Sequence, residues 1–227
     1  MKYYPNPKYQ KKTKLKVNPI EVKHLFYAWA AITFAFANVL VKGETQSSLL
    51  GIGSYGGMLF LEYIVISGIA VGLGFLIHEL AHRFVARKYG LMAEFRASMP
   101  MLLFAVLLSF TGFVFAAPGA VLIMGRTTKR QNGIISLSGP LSNLIMAIIF
   151  FIIAVVVLGA AGVTSTFVAK LLMYGFMINT WLALFNLIPI SLLDGRKIFN
   201  WNKLVWGLTA GFAVILFFLQ MGMIRLG

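Results

Sequence analysis

The sequence predicts an all-α polytopic membrane protein of about six transmembrane helices, with a re-entrant or β-containing segment near 94–125. Three observations carry this. Of the 227 residues, 59% are hydrophobic and only 11% charged, against about 25% charged in a soluble domain. Apolar stretches recur at about 26–42, 59–82, 99–124, 134–159, 167–190 and 204–224. Each reaches, some only just, across the roughly 30 Å of a bilayer's hydrocarbon as a helix. The net charge of +14 is gathered into the segments between alternate stretches.

Residues 1–23 come first. They hold seven lysines together with Pro5, Pro7 and Pro19, a composition that suits a membrane surface better than a packed core. Such a segment sets topology and contacts anionic lipid, so it is expected on the cytoplasmic side. Nothing else in the chain resembles an RNA-reading module, which makes lipid rather than nucleic acid the expected partner. The long basic lead and the lack of a clear small-x-small cleavage site argue for a retained first helix, not a removable signal peptide. Residues 24–227 then read as one transmembrane domain in the cell membrane. The chain has no cysteine, so any transition-metal site must use imidazole and carboxylate ligands.

The stretch 43–58 contains no Lys or Arg and reads as external, with Lys42 a mild objection. Arg83, Arg87, Lys88 and Arg96 bring the chain back inside. Arg126, Lys129 and Arg130 are basic as well, which puts both ends of 99–124 on the same side. An ordinary span with an imperfect charge signal is one explanation. A re-entrant hairpin, part helix and part strand and broken at Gly112, Pro118 and Gly119, is the other. Irregular backbone at that depth requires cover from protein or a wet cavity. From there 134–159 runs outward, 160–167 turns, 168–190 returns, Arg196, Lys197 and Lys203 mark the inner side, and 204–224 exits.

The chemistry centres on His78, Glu79 and His82, the pattern H-E-x-x-H. Residues four apart share a helix face, so both imidazoles can converge on one ion, while Glu79 is rotated by about 100° and is free to meet a water. No proline lies between 59 and 99, so the helix should run unbroken through the motif; Gly68, Gly72 and Gly74 suit close approach of a neighbouring helix. Chance would produce the pattern on the order of once in a thousand such chains. The plainer explanation is two histidines hydrogen-bonding between helices, but an ionisable trio in an apolar span is costly without a metal.

A catalytic zinc normally takes three protein ligands and a water. His24 lies in the basic surface segment, Glu21 and Glu44 flank the first span, and Glu94 sits in a charged connection. Glu62 precedes His78 by 16 residues, about 24 Å along one helix. Asp194, the sole aspartate, stands after Pro189 and before Gly195 at a broken helix end. It can swing toward a neighbouring helix or merely pair with Arg196 or Lys197. With one ligand missing, the first is favoured, giving one Zn²⁺ per chain.

HELAH, then SGPLSN at 138–143, then NLIPISLLDG at 186–195, in this order among membrane spans, resembles the site-2 proteases over residues 59–200. That resemblance implies an intramembrane zinc metalloprotease acting on membrane-protein substrates. It implies zinc on His78, His82 and Asp194, Glu79 as general base and acid, and a core of the three helices bearing these motifs. Asn186, eight residues before Asp194, and Asn143, closing G-P-x-x-N, become the candidates for orienting substrate or oxyanion. Taken alone, each asparagine is equally an interhelical hydrogen bond worth about 1 kcal/mol. The chain departs from many relatives in having no room for a PDZ or CBS domain, and in the apolar character of 99–124. The rival readings are a non-proteolytic zinc-binding membrane protein, that is, a pseudoprotease that binds membrane helices, and a metal transporter. Transport calls for more polar residues along a path, and neither rival needs Glu79.

Overall fold

In lipid a helix satisfies all of its own backbone, so long apolar stretches become helices wherever proline permits. A computed structural model describes residues 18–45, 56–114, 119–160, 166–190 and 193–226. The elements are α1 (Pro19–Thr45), α2 (Gly56–Lys88), β1 (Met92–Ala97), α3 (Met99–Ser109), β2 (Gly119–Met124), α4 (Lys129–Ala160), α5 (Thr166–Leu187), α6 (Asp194–Trp201) and α7 (Lys203–Leu226). Residues 1–17, Pro118 and most of the connections at 43–58 and 160–167 lie outside the described residues. Among the described residues five helices, α1, α2, α4, α5 and α7, are long and apolar enough to cross a membrane. The sixth expected stretch, 99–124, is not one of them.

That stretch breaks as the hairpin alternative requires. α3 has 11 residues, about 16 Å of helix and too short to span. It climbs along α1: near its foot, His24 accepts a hydrogen bond from the Ala97 N–H, and at its top Asn38 Nδ2 donates to Ser109 Oγ at 3.1 Å. Lys42 Nζ donates to the Phe110 carbonyl at 3.1 Å, which gives that far-side charge a partner. The chain turns at Gly112, whose φ of +94° suits glycine. It then comes back to β2, which pairs antiparallel with β1 in the register Ala97↔Gly119 through Met92↔Met124. Both ends of 99–124 therefore lie at the same end of the bundle.

β1 is moored on its other edge. Glu21, fully buried, accepts the Phe95 N–H at 3.1 Å and pairs with buried Arg83 at 3.0 Å. Since the N–H groups of Phe95 and Ala97 point to α1, the pairs Phe95↔Val121 and Ala97↔Gly119 are the non-hydrogen-bonded ones. The outward backbone groups of Gly119, Val121 and Ile123 are thus left on a free edge of β2.

Two apolar clusters flank the motif helix. One joins α1, α2, α3, β1 and α5 around Phe36, Phe75, Phe95 and Leu182; the other joins α4, α5, α6 and α7 around Phe150, Phe176 and Ile198. Pro189 follows the end of α5, and Trp206 Nε1 donates to the Leu187 carbonyl at 2.8 Å, satisfying one acceptor that the helix end leaves over. A Cβ on Gly195 would lie 2.1 Å from that same carbonyl oxygen, so only glycine lets α6 fold back here and turn Asp194 toward α2.

Candidate metal centre

The motif helix is continuous through His78, Glu79 and His82, all buried. Gly139 on α4 faces the two rings; a Cβ there would lie 2.5 Å from both Nε2 atoms. This absent side chain is what allows α4 to lie against the histidines.

Each ring is held from behind. His82 Nδ1 lies 2.7 Å from the Ile135 carbonyl, and His78 Nδ1 lies 2.6 Å from Asn143 Oδ1. A carbonyl can only accept, so His82 carries its proton on Nδ1. Asn143 Nδ2 faces the Gly74 carbonyl at 3.1 Å, which fixes the amide and leaves Oδ1 to accept from His78 Nδ1. Both Nε2 lone pairs therefore point forward, 3.0 Å apart.

Asp194 Oδ2 completes the triangle, 3.3 Å from His78 Nε2 and 2.9 Å from His82 Nε2. Three electron-pair donors at such spacing repel one another unless a cation lies among them. Tetrahedral zinc with bonds of about 2.0–2.1 Å puts its ligand atoms about 3.3–3.4 Å apart. The donor set and its spacing fit that ion, and among the described residues this is the group of three His or acidic side chains able to hold one. The second oxygen of Asp194 lies 3.5 Å from Lys197 Nζ, so one carboxylate oxygen faces the two histidines and the other faces the lysine.

The triangle opens on a cavity of about 90 Å³, room for several waters. Glu79, Asn186, Lys197 and β2 residues Gly119, Val121 and Ile123 also line it. Asn186 donates one amide hydrogen to the Leu182 carbonyl at 2.9 Å and is half-buried on the cavity wall. Asn143 is fully buried with both ends engaged, Oδ1 on His78 and Nδ2 on Gly74 and Asn179. These contacts suit a residue that orients His78, and Asn143 also lies on the cavity lining.

The other acids lie elsewhere. Glu21 and His24 moor β1, Glu94 pairs with Arg96, and Glu44 and Glu62 pair with Lys170 at the far end of the bundle. The sequence reading missed Asn179 and the part played by Gly139. A lone asparagine in the apolar run YGFMINTWLALF was the only available signal for the first.

The sequence profile described as peptidase family M50 matches residues 67–172, which include His78, Glu79, His82 and Asn143 but stop short of Asp194. A protein of Methanocaldococcus jannaschii, named a putative zinc metalloprotease, is 41% identical over 157 residues, 68% of this chain and 79% of that protein. A Bacillus subtilis (strain 168) protein with the same description is 32% identical over 158 residues, 63% of this chain and 70% of that protein. No solved structure matches the chain. Two relatives above 30% identity, each matched over more than two thirds of its own length, place the chain in peptidase family M50, the family of the site-2 proteases.

Proposed function

We propose that this protein is an intramembrane zinc metalloprotease that hydrolyses peptide bonds within or near the membrane-spanning segments of other proteins. One observation carries the reading: three donor atoms within 3.3 Å of one another front a cavity that also holds Glu79. His78, His82 and Asp194 hold one zinc ion per chain. Bound there, zinc lowers the pKa of a water to about 7 and polarises the scissile carbonyl.

Glu79 is the general base. It takes a proton from the attacking water, whose oxygen bonds to the carbonyl carbon, and returns that proton to the amide nitrogen as the C–N bond breaks. Asn186, on the cavity wall with a second amide hydrogen, orients the carbonyl. A helical peptide bond is shielded by its own hydrogen bonds, so the substrate must be extended locally. The free edge of β2 supports a way to do this: Gly119, Val121 and Ile123 border the cavity and offer a strand-shaped row of donors and acceptors.

A purely structural or transported zinc has no use for Glu79 in the cavity, which speaks against the rival readings. The basic residues Arg87, Lys88, Lys129 and Arg130 at the site end of α2 and α4 support placing that end, with the N-terminus, in the cytoplasm of a cell-membrane protein. The lysines of residues 1–23 contact anionic lipid there. The test is Glu79→Gln in the full chain with a reconstituted membrane-spanning substrate. Zinc content should stay at one per chain while cleavage is lost; retained cleavage refutes the assigned role.

A further inference from the structure

We propose that Asn179 on α5 is a positioning residue of the metal centre: it locks the Asn143 amide so that His78 presents a bare Nε2 to the ion. The proposal rests on reading His78 as a zinc ligand and goes beyond it, since Asn179 touches neither the cavity triangle nor Glu79.

Asn179 is fully buried. Its Nδ2 lies 3.1 Å from the Ala70 carbonyl and 2.9 Å from the Gly175 carbonyl. Both of these can only accept, so the nitrogen must face them and Oδ1 must face the other way. There it accepts from Asn143 Nδ2 at 3.1 Å. Asn143 is thereby held at two acceptors, the Gly74 carbonyl and Asn179 Oδ1, and its own Oδ1 is left for His78 Nδ1. The sequence of bonds begins on two backbone carbonyls, which cannot reverse, and ends on a ring proton. Every intermediate atom has one permitted role.

The helices are shaped around this chain of amides. A Cβ on Gly74 would lie 2.3 Å from Asn179 Oδ1, so glycine at that turn of α2 makes room for the second amide. Mere polar glue between helices needs no such direction; either amide could then be flipped. Groups that orient a ligating histidine typically alter metal affinity about 10–100-fold when lost. One step further back, about 10-fold is expected for Asn179.

The experiment uses the full chain in detergent micelles or bilayers, with Zn²⁺ as probe and a competing chelator. In the zinc-loaded wild type, ¹⁵N NMR of the histidine rings should show His78 bound through Nε2 with a proton on Nδ1. Binding through Nδ1 overturns the proposal whatever the variants do. Asn179→Leu, close in volume, should weaken zinc about 10-fold, measured well below its thermal midpoint. Should that variant not fold, Asn179→Ala removes the same acceptor. The double variant with Asn143→Leu should bind zinc no worse than Asn143→Leu alone, because both act on one ring by one route. Unchanged zinc affinity on losing Asn179, or losses that multiply in the double variant, overturn the proposal. A wild type that takes up no zinc refutes the function proposed above instead, so the two failures are distinguishable.

Discussion

Replacing Gly139 by alanine isolates the idea that α4 is cut away to admit a metal. The added Cβ would lie 2.5 Å from His78 Nε2, His82 Nε2 and His82 Cε1. Ordinary contact between such atoms is about 3.5–4.0 Å, so the rings or the helix must give by about 1 Å. The rings cannot retreat freely, because both are tied at Nδ1 to Ile135 and Asn143. Metal–ligand distances tolerate about 0.2 Å, a fifth of the required shift. Zinc affinity should therefore fall at least about 100-fold, which is about 2.7 kcal/mol. Gly72→Ala is the control: its Cβ would meet the Trp29 indole of α1 at 1.9 Å, away from the histidines and from the Asn143–Asn179 pair. Overpacking of that kind costs about 1–3 kcal/mol of stability and should leave zinc affinity unchanged. Metal analysis and chelator competition on both variants, beside thermal melting, read the difference. One zinc per chain at wild-type affinity in Gly139→Ala would refute the reasoning.

Asp194→Ala should lower zinc content well below one per chain, and an unchanged ratio by metal analysis would remove Asp194 from the site. Val121→Pro deletes an N–H on the free edge of β2 without touching the pairing to β1, a place where proline is tolerated. Cleavage of a membrane-spanning substrate should drop at least about tenfold with zinc retained; full activity would argue against strand addition at this edge. Glu21→Ala leaves buried Arg83 without its partner and frees the Phe95 N–H, so it should destabilise the fold by about 3–5 kcal/mol. Adding Arg83→Met should recover part of that loss, and no recovery in the thermal midpoint would mean that the charge pairing is not its source.

The sequence determined by itself what depends on local pattern. Hydropathy over some twenty residues decides whether a segment can be a membrane helix, which made five of the six expected stretches legible in order. The spacing of His78 and His82 is fixed by the helical turn, so their convergence needed no knowledge of the fold. Charge at both ends of 99–124 pointed to a return of the chain, but choosing the hairpin over a span took the pairing of Ala97 with Gly119. Asp194 was legible only as the acid left over, because nothing local separates an acid that faces two imidazoles from one in an interfacial ion pair; its two oxygens do one each. Tertiary structure alone decided that Asn143 faces His78 and that Asn179 stands behind it. It also decided that Gly139 is the space the rings occupy. Those are contacts between residues 36 to 65 positions apart, and their direction is set by backbone carbonyls whose positions exist only once α2, α4 and α5 are packed.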